Sequence, residues 1–190
     1  MQTLRNIIAV VLTATAFGAC YVLLQRVIGP TSPWLGLLLL FYFMGLMNVA
    51  QPLFTLRLPE AIAEVRPWER VGNIYRLLAV FAFGKLLRET PLRRLNSSVY
   101  LVRGRTDLLR LHRRAISSEA IHFWAMVLFM PYILFVWFQG DVGTATIFMA
   151  IQVLFNIYPI LHLRTLRGRL DRLIAFRQEM GGDTNMSSSP

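Results

Sequence analysis

Cysteine, charge and acid are all scarce in this sequence. One cysteine, Cys20, stands among 190 residues, so no intramolecular disulfide can form and a disulfide-stapled small fold is excluded. Charged residues make up 16% of the chain, where a soluble domain carries about a quarter. Ten Asp and Glu stand against twenty Lys and Arg, for a net charge of +10. No aromatic-interleaved basic motif accompanies that charge, which argues against a nucleic-acid partner. Neither a GxSxG nor an HxxxxD pattern occurs, so a serine nucleophile elbow is excluded.

Apolar residues are abundant instead: 55% hydrophobic, mean hydropathy +0.50. They fall in runs near the twenty residues that cover a bilayer's hydrocarbon core, which predicts an all-α integral membrane protein of about four transmembrane helices in two hairpins. The first spans are Ile7 to Ile28 and Trp34 to Phe54, joined by the turn "GPTSP". "AFGACYVLL" has a lipoprotein-like small-residue pattern, but the apolar run continues through Cys20, which reads as a packing residue in an uncleaved span. From Arg57 to Glu119 thirteen Lys and Arg face six Asp and Glu. That excess predicts a cytoplasmic region. Within it, Arg76 to Leu87 is too short to cross and is expected as an interfacial amphipathic helix. The third and fourth spans run from Ile121 to Phe138 and from Ala145 to Leu163, joined by a turn whose one charge is Asp141. Five arginines follow Leu163, and both termini are expected on the cytoplasmic side. The expected divisions are 1–56, an N-terminal hairpin; 57–119, a basic interfacial region; 120–180, a C-terminal hairpin with a basic end; and 181–190, a disordered tail. Minor strand is expected only near Val99 to Val102.

Polar residues collect at one depth of these spans. Glu119 and His122 are three apart, hence on one helical face at a membrane mouth. His122 lies eighteen residues before Gly140 and His162 nineteen after Gly143, so antiparallel helices bring both histidines to nearly the same depth. Asn156 is about 9 Å deeper than His162 at the helical rise. Asn156, Arg164 and Arg167 follow one helical stripe. Pro159 lacks an N–H and so releases the Phe155 carbonyl as a further acceptor. Asn48 and Gln51, again three apart, lie near the cytoplasmic end of the second span. Trp68 and Tyr75 suit a membrane interface.

The runs "WERVGNIYRLLAVFAFGKLL", "SEAIHFW" and "NIYPILHLRTLRGRL" resemble the glycosyl-4,4'-diaponeurosporenoate acyltransferase family over roughly the last two-thirds of the chain. Glu69, Gly72, Lys85, Glu119, His122, Asn156, Arg164, Arg167, Arg169 and Leu170 are the matching positions. The resemblance implies transfer of a fatty acyl chain to a hydroxyl of a lipid-like or glycosylated, carotenoid-type acceptor. Such transfer needs a base for the hydroxyl proton and a donor for the developing oxyanion. His122 is the expected base, Glu119 the group that fixes its tautomer, and Asn156 or an arginine the oxyanion donor. Glu69, Lys85, Arg164, Arg167, Arg169, Asn48 and Gln51 are expected to hold the substrates. The acyl donor is an acyl-CoA, an acyl-ACP or a phospholipid, and direct attack by the hydroxyl requires no cofactor and no metal. A bacterial cell (inner) membrane is the expected location, with membrane lipids as partners. Two readings compete: a non-enzymatic scaffold that binds anionic lipid or a partner protein, and a bis-His haem or metal site built on His122 and His162 with Glu119 as a third ligand.

Overall fold

The computed structural model describes residues 2–54, 56–66, 69, 73–90 and 108–186. In order these form α1 (Gln2–Ile28), α2 (Pro33–Phe54), α3 (Glu60–Ala63), α4 (Asn73–Leu77), α5 (Val80–Glu89), α6 (Leu108–Phe138), α7 (Val142–Gln152), a π-helical segment (Val153–Ile157) and α8 (Tyr158–Met186). No strand occurs among the described residues. Among the described residues four helices are long and apolar enough to cross a membrane: Thr3–Ile28, Pro33–Gln51, Leu108–Phe138 and the continuous Val142–Gln178. The last two measure 31 and 37 residues, well beyond the roughly twenty needed to span, because the basic sequence flanking each apolar run stays helical.

The chain divides into two compact units, each made of two separate segments. Met1–Leu58 and Ala120–Ile160 form the first, and Pro59–Glu119 and Leu161–Pro190 the second. Thus the expected segment 1–56 shares a unit with the third span, and the basic segment 57–119, apart from Arg57 and Leu58, shares one with the chain beyond Ile160. The expected edge piece near Val99 to Val102, together with Trp68 and Gly72, lies outside the described residues. Helix α8 continues through residues 181–186, the first part of the segment expected as a disordered tail.

In the first unit α1 and α2 pair as a hairpin, its turn made by Gly29 at φ 85°, a left-handed conformation that costs glycine nothing. Phe17 of α1 stacks on Tyr42 of α2 at 4.5 Å. Leu39 and Leu40 of α2 meet Phe129, Ile133 and Val136 of α6 and Ala145 and Phe148 of α7 in one buried cluster. Lipid removes the hydrophobic drive for such contacts, leaving close packing and hydrogen bonds to hold the helices. Both appear here: the Phe148 ring lies directly on Gly36, and the Tyr132 hydroxyl donates to the Pro30 carbonyl. Gly140 at φ 85° turns the chain between α6 and α7, and Asp141 caps α7 by accepting from Thr144 N–H at 3.0 Å.

In the second unit the helix expected over Arg76 to Leu87 is broken in two. Ala79, at φ 53° and ψ 23°, separates α4 from α5. A left-handed alanine costs about 1–2 kcal/mol, and the break lets Tyr75 and Val80 both be buried. Leu77, Leu78 and Leu86 stay exposed. Ala115 of α6 and Leu163 of α8 form a small core with Leu166. Around it His112 meets Asp171 at 2.9 Å, and Arg169 lies 5.4 Å over the Phe81 ring.

Candidate functional site

Within the first unit, three polar side chains form a chain through an otherwise apolar interior. His122 comes from α6, Gln152 from the end of α7 and Asn156 from the π-helical segment. The Asn156 side chain is 0% and Gln152 1% exposed. Such burial is tolerable only with hydrogen-bond partners. His122 Nδ1 lies 3.3 Å from Asn156 Oδ1. Asn156 Nδ2 donates to Gln152 Oε1, and Gln152 Nε2 donates to the Met126 carbonyl at 2.9 Å. The Phe155 main chain is a further partner of the His122 ring. Pro159 explains the local geometry: with no N–H to offer Phe155, the helix widens to the five-residue hydrogen-bond spacing of a π turn, a distortion frequent at functional sites.

The second unit contains a buried ion cluster. Arg164 of α8 uses all five of its N–H donors. Nε donates to Glu69 Oε1 at 2.8 Å. Nη1 donates to the Ile62 carbonyl at 2.6 Å and to Glu119 Oε1 at 3.0 Å. Nη2 donates to the Glu64 carbonyl and to Glu69 Oε2, both at 2.8 Å. Arg167, one turn along, donates through Nη1 to Glu119 Oε2 at 2.5 Å and through Nη2 to the Ala63 carbonyl. Its Nε is buried without a partner among the described residues. The two guanidiniums therefore bind the carbonyls at the end of α3, a helix of four residues, where unsatisfied backbone acceptors collect.

Glu69 ties this cluster to α4. Its Oε2 accepts from Arg66 N–H at 2.6 Å and its Oε1 from the Tyr75 hydroxyl at 3.1 Å. Burial pushes its carboxyl up, but the hydrogen bonds from Arg164 and Arg66, with the Arg164 charge, outweigh burial and hold it below the usual carboxylate range. Burial, then the neighbouring Glu69 charge, pushes the Tyr75 phenol up to about 12.

The residues expected from the sequence thus fall into separate groups. His122 and Asn156 come together. Glu119, Glu69, Arg164 and Arg167 come together in a different set, with both oxygens of Glu119 taken by arginines. The partner expected for His122 was Glu119; the bonded one is Asn156. Lys85 is exposed and faces Glu89 at 3.9 Å, Arg169 covers Phe81, and Asn48 and Gln51 take no part in the polar chain, Asn48 being exposed on α2. His162 packs against Gly84, where an added Cβ would stand 2.5 Å from its ring. Among the described residues no group of three or more His, Cys, Asp or Glu is placed to hold a metal ion. Sequence reasoning missed Gln152 and the bond from Tyr75 to Glu69. The signal for Gln152 was present: it precedes Asn156 by four residues, one turn on the same face.

A family model described as glycosyl-4,4'-diaponeurosporenoate acyltransferase matches residues 59–176, well over half of the chain. The matched segment contains the whole ion cluster and the polar chain of His122, Gln152 and Asn156, and it begins after α1 and α2. Comparisons with curated proteins and with solved structures gave no match.

Proposed function

The chain belongs to the glycosyl-4,4'-diaponeurosporenoate acyltransferase family, and from that premise we propose that it moves a fatty acyl group onto a hydroxyl of a lipid-like or glycosylated, carotenoid-type acceptor. The observation that carries this reading is His122, a buried imidazole in a membrane-long helix with its ring held by Asn156. An ionisable group in such a helix is costly unless it has work to do. In the proposed step His122 takes the acceptor's hydroxyl proton as its oxygen attacks the acyl carbonyl. The tetrahedral intermediate then collapses, and the departing thiolate or alkoxide recovers the proton from the imidazole. Neither a nucleophilic serine nor a cofactor enters the step.

The geometry supports different work for the other expected residues in this reading. Asn156 orients His122, since its oxygen faces the imidazole and its nitrogen faces Gln152. Glu119, Glu69 and Arg164 hold the second unit together. With all five donors occupied, Arg164 has none for a phosphate. Arg167 retains an Nε without a partner among the described residues, and Lys85 and Arg169 remain exposed cations suited to the anionic part of an acyl donor or of membrane lipid. The reaction is proposed for the cytoplasmic face of a bacterial cell membrane, where the basic residues meet anionic lipid.

One observation favours the scaffold reading: every donor of Arg164 and both oxygens of Glu119 are taken up within the ion cluster, as in a purely structural device. Comparative mass spectrometry of lipids and pigments, with and without the gene, decides between the two. The acyltransferase reading predicts a species heavier by one fatty acyl unit that disappears in His122→Ala cells with normal amounts of membrane-inserted protein. Persistence of that species in the variant removes His122 as base, and absence of any such species in wild-type cells favours the scaffold.

A further inference from the structure

A main-chain carbonyl can accept a hydrogen bond and can never donate one, and this fixes the polarity of the whole buried chain in the first unit. The Met126 carbonyl, 2.9 Å from the Gln152 amide, requires the amide's nitrogen on its side. The reverse placement would set two oxygens against each other in a buried site. Gln152 Oε1 therefore points away from Met126 and toward Asn156, where it demands a donor, and Asn156 supplies Nδ2. Asn156 Oδ1 is left facing His122 Nδ1 at 3.3 Å. An amide oxygen only accepts, so Nδ1 carries a proton. The Phe155 main chain, a further partner of the ring, is likewise an acceptor.

From this sequence of forced orientations we infer that Gln152 is a positioning residue: acting through Asn156, it keeps neutral His122 as the Nδ1–H tautomer and leaves Nε2 with the free lone pair. A free histidine side chain in water prefers the other tautomer, so the protein has to impose this one. Asn156 alone would not suffice, because its amide can turn to present either end to the imidazole. Gln152, anchored on a backbone carbonyl that can only accept, removes that freedom. The roles parallel a triad in which a second group sets which imidazole nitrogen is basic, here with two amides and a carbonyl and no buried negative charge. The catalytic meaning of this tautomer rests on His122 being the base, as proposed above; the tautomer itself does not.

The test reads the proton directly. The full chain, labelled with nitrogen-15 at histidine and reconstituted in lipid nanodiscs, is examined by NMR above neutral pH, with the His122 signals identified by their loss in His122→Gln. Wild type is expected to show Nδ1 protonated and Nε2 bare. Gln152→Leu removes the acceptor for Asn156 and is expected to shift His122 toward Nε2–H. Gln152→Glu keeps an acceptor for Asn156 Nδ2 and is expected to retain Nδ1–H although the bond to Met126 changes. A merely structural role would not separate these two variants. A protonated Nε2 in wild type, or an unchanged tautomer in Gln152→Leu that still folds, overturns the inference. Formation of the acylated product is followed in parallel, where Gln152→Leu is expected to lose roughly tenfold or more in kcat, as wrong-tautomer variants do, with KM little changed and Gln152→Glu less affected. If the tautomer shifts as expected while product formation does not fall, the tautomer control stands and His122 is not the base.

Discussion

Arg164 Nη1 lies 3.0 Å from Glu119 Oε1 in an ion pair where the Glu119 side chain is 1% and the Arg164 side chain 9% exposed. Since Arg167 binds the other Glu119 oxygen, loss of Glu119 leaves Arg167 with one carbonyl and no counter-charge. Breaking a buried pair from one side costs about 3–5 kcal/mol, whereas replacing both partners by apolar residues is often neutral. Glu119→Gln should therefore lower the melting temperature in detergent strongly, and the double variant Glu119→Leu, Arg167→Met should recover most of the loss. Acylated product per folded molecule should fall less in Glu119→Gln than in His122→Ala.

Glu69 and Tyr75 predict opposite ends of the stability–pH profile. The Glu69 carboxyl is held below its ordinary value of 4.5, so its stabilising contribution is present above pH 4.5 and is lost as pH falls through the lowered value. The Tyr75 phenol is raised from 10.0 to about 12; its contribution is full below pH 10 and fades as pH rises toward 12. Melting temperature measured across pH should thus fall at both extremes. Glu69→Gln should flatten the acid limb and Tyr75→Phe the alkaline one.

The spans lie close to the surface of the sequence, for simple physical reasons, whereas the bond between His122 and Asn156 does not, since counting along a regular helix sets Asn156 about 9 Å deeper than the level of the histidines. Apolar runs of bilayer length have one stable conformation in lipid, and counting residues outward from the turn at Gly140 sets their depths. Glu119 shows where such reading stops. Three residues from His122, it has an obvious local partner, but the nearest pair of donors that match a carboxylate belongs to Arg164 and Arg167, more than forty residues away. A guanidinium in a buried site outcompetes an imidazole because it stays charged and fits both carboxylate oxygens. Gln152 escaped notice because one glutamine in an apolar run usually serves as helix-to-helix glue; its meaning comes from Met126 on another helix. Ala79 has no sequence signal for its left-handed backbone, which tertiary packing of Tyr75 and Val80 imposes.

Gly36 offers a packing test inside the first unit. A Cβ added there would occupy the space of the Phe148 ring, and Phe148 is fully buried between α2, α6 and Tyr132. The ring is the rigid end of its side chain, so the methyl group must displace the helix. Gly36→Ala should cost about 1–3 kcal/mol, the range for overpacked cores. Because the two sites touch, Phe148→Leu in the Gly36→Ala background should cost less than Phe148→Leu alone. Denaturant or thermal unfolding of the four proteins in a double-mutant cycle measures that difference.

The four membrane-long helices cross with a definite orientation if charge asymmetry governs insertion. Thirteen Lys and Arg lie between Arg57 and Glu119 and five more after Leu163, while the turn Gln139–Thr144 has only Asp141. Acidic residues count little in this rule, so the asymmetry is close to complete for the second hairpin. Both termini and the basic middle region are therefore predicted on the cytoplasmic side, with Gly140 on the opposite face. Fusions at Gly140 and at Arg94 test this with a pair of reporters, one active only in the cytoplasm and one only outside it. The external reporter should work at Gly140 and the cytoplasmic one at Arg94. The reverse pattern would carry the exposed cations Lys85 and Arg169 away from a cytoplasmic acyl donor, and with them the proposed side of the reaction. Adding two lysines at Gly140 should weaken the orientation without touching any residue of the buried polar chain, so a mixed topology in that variant, with an unmixed one in wild type, attributes the orientation to charge.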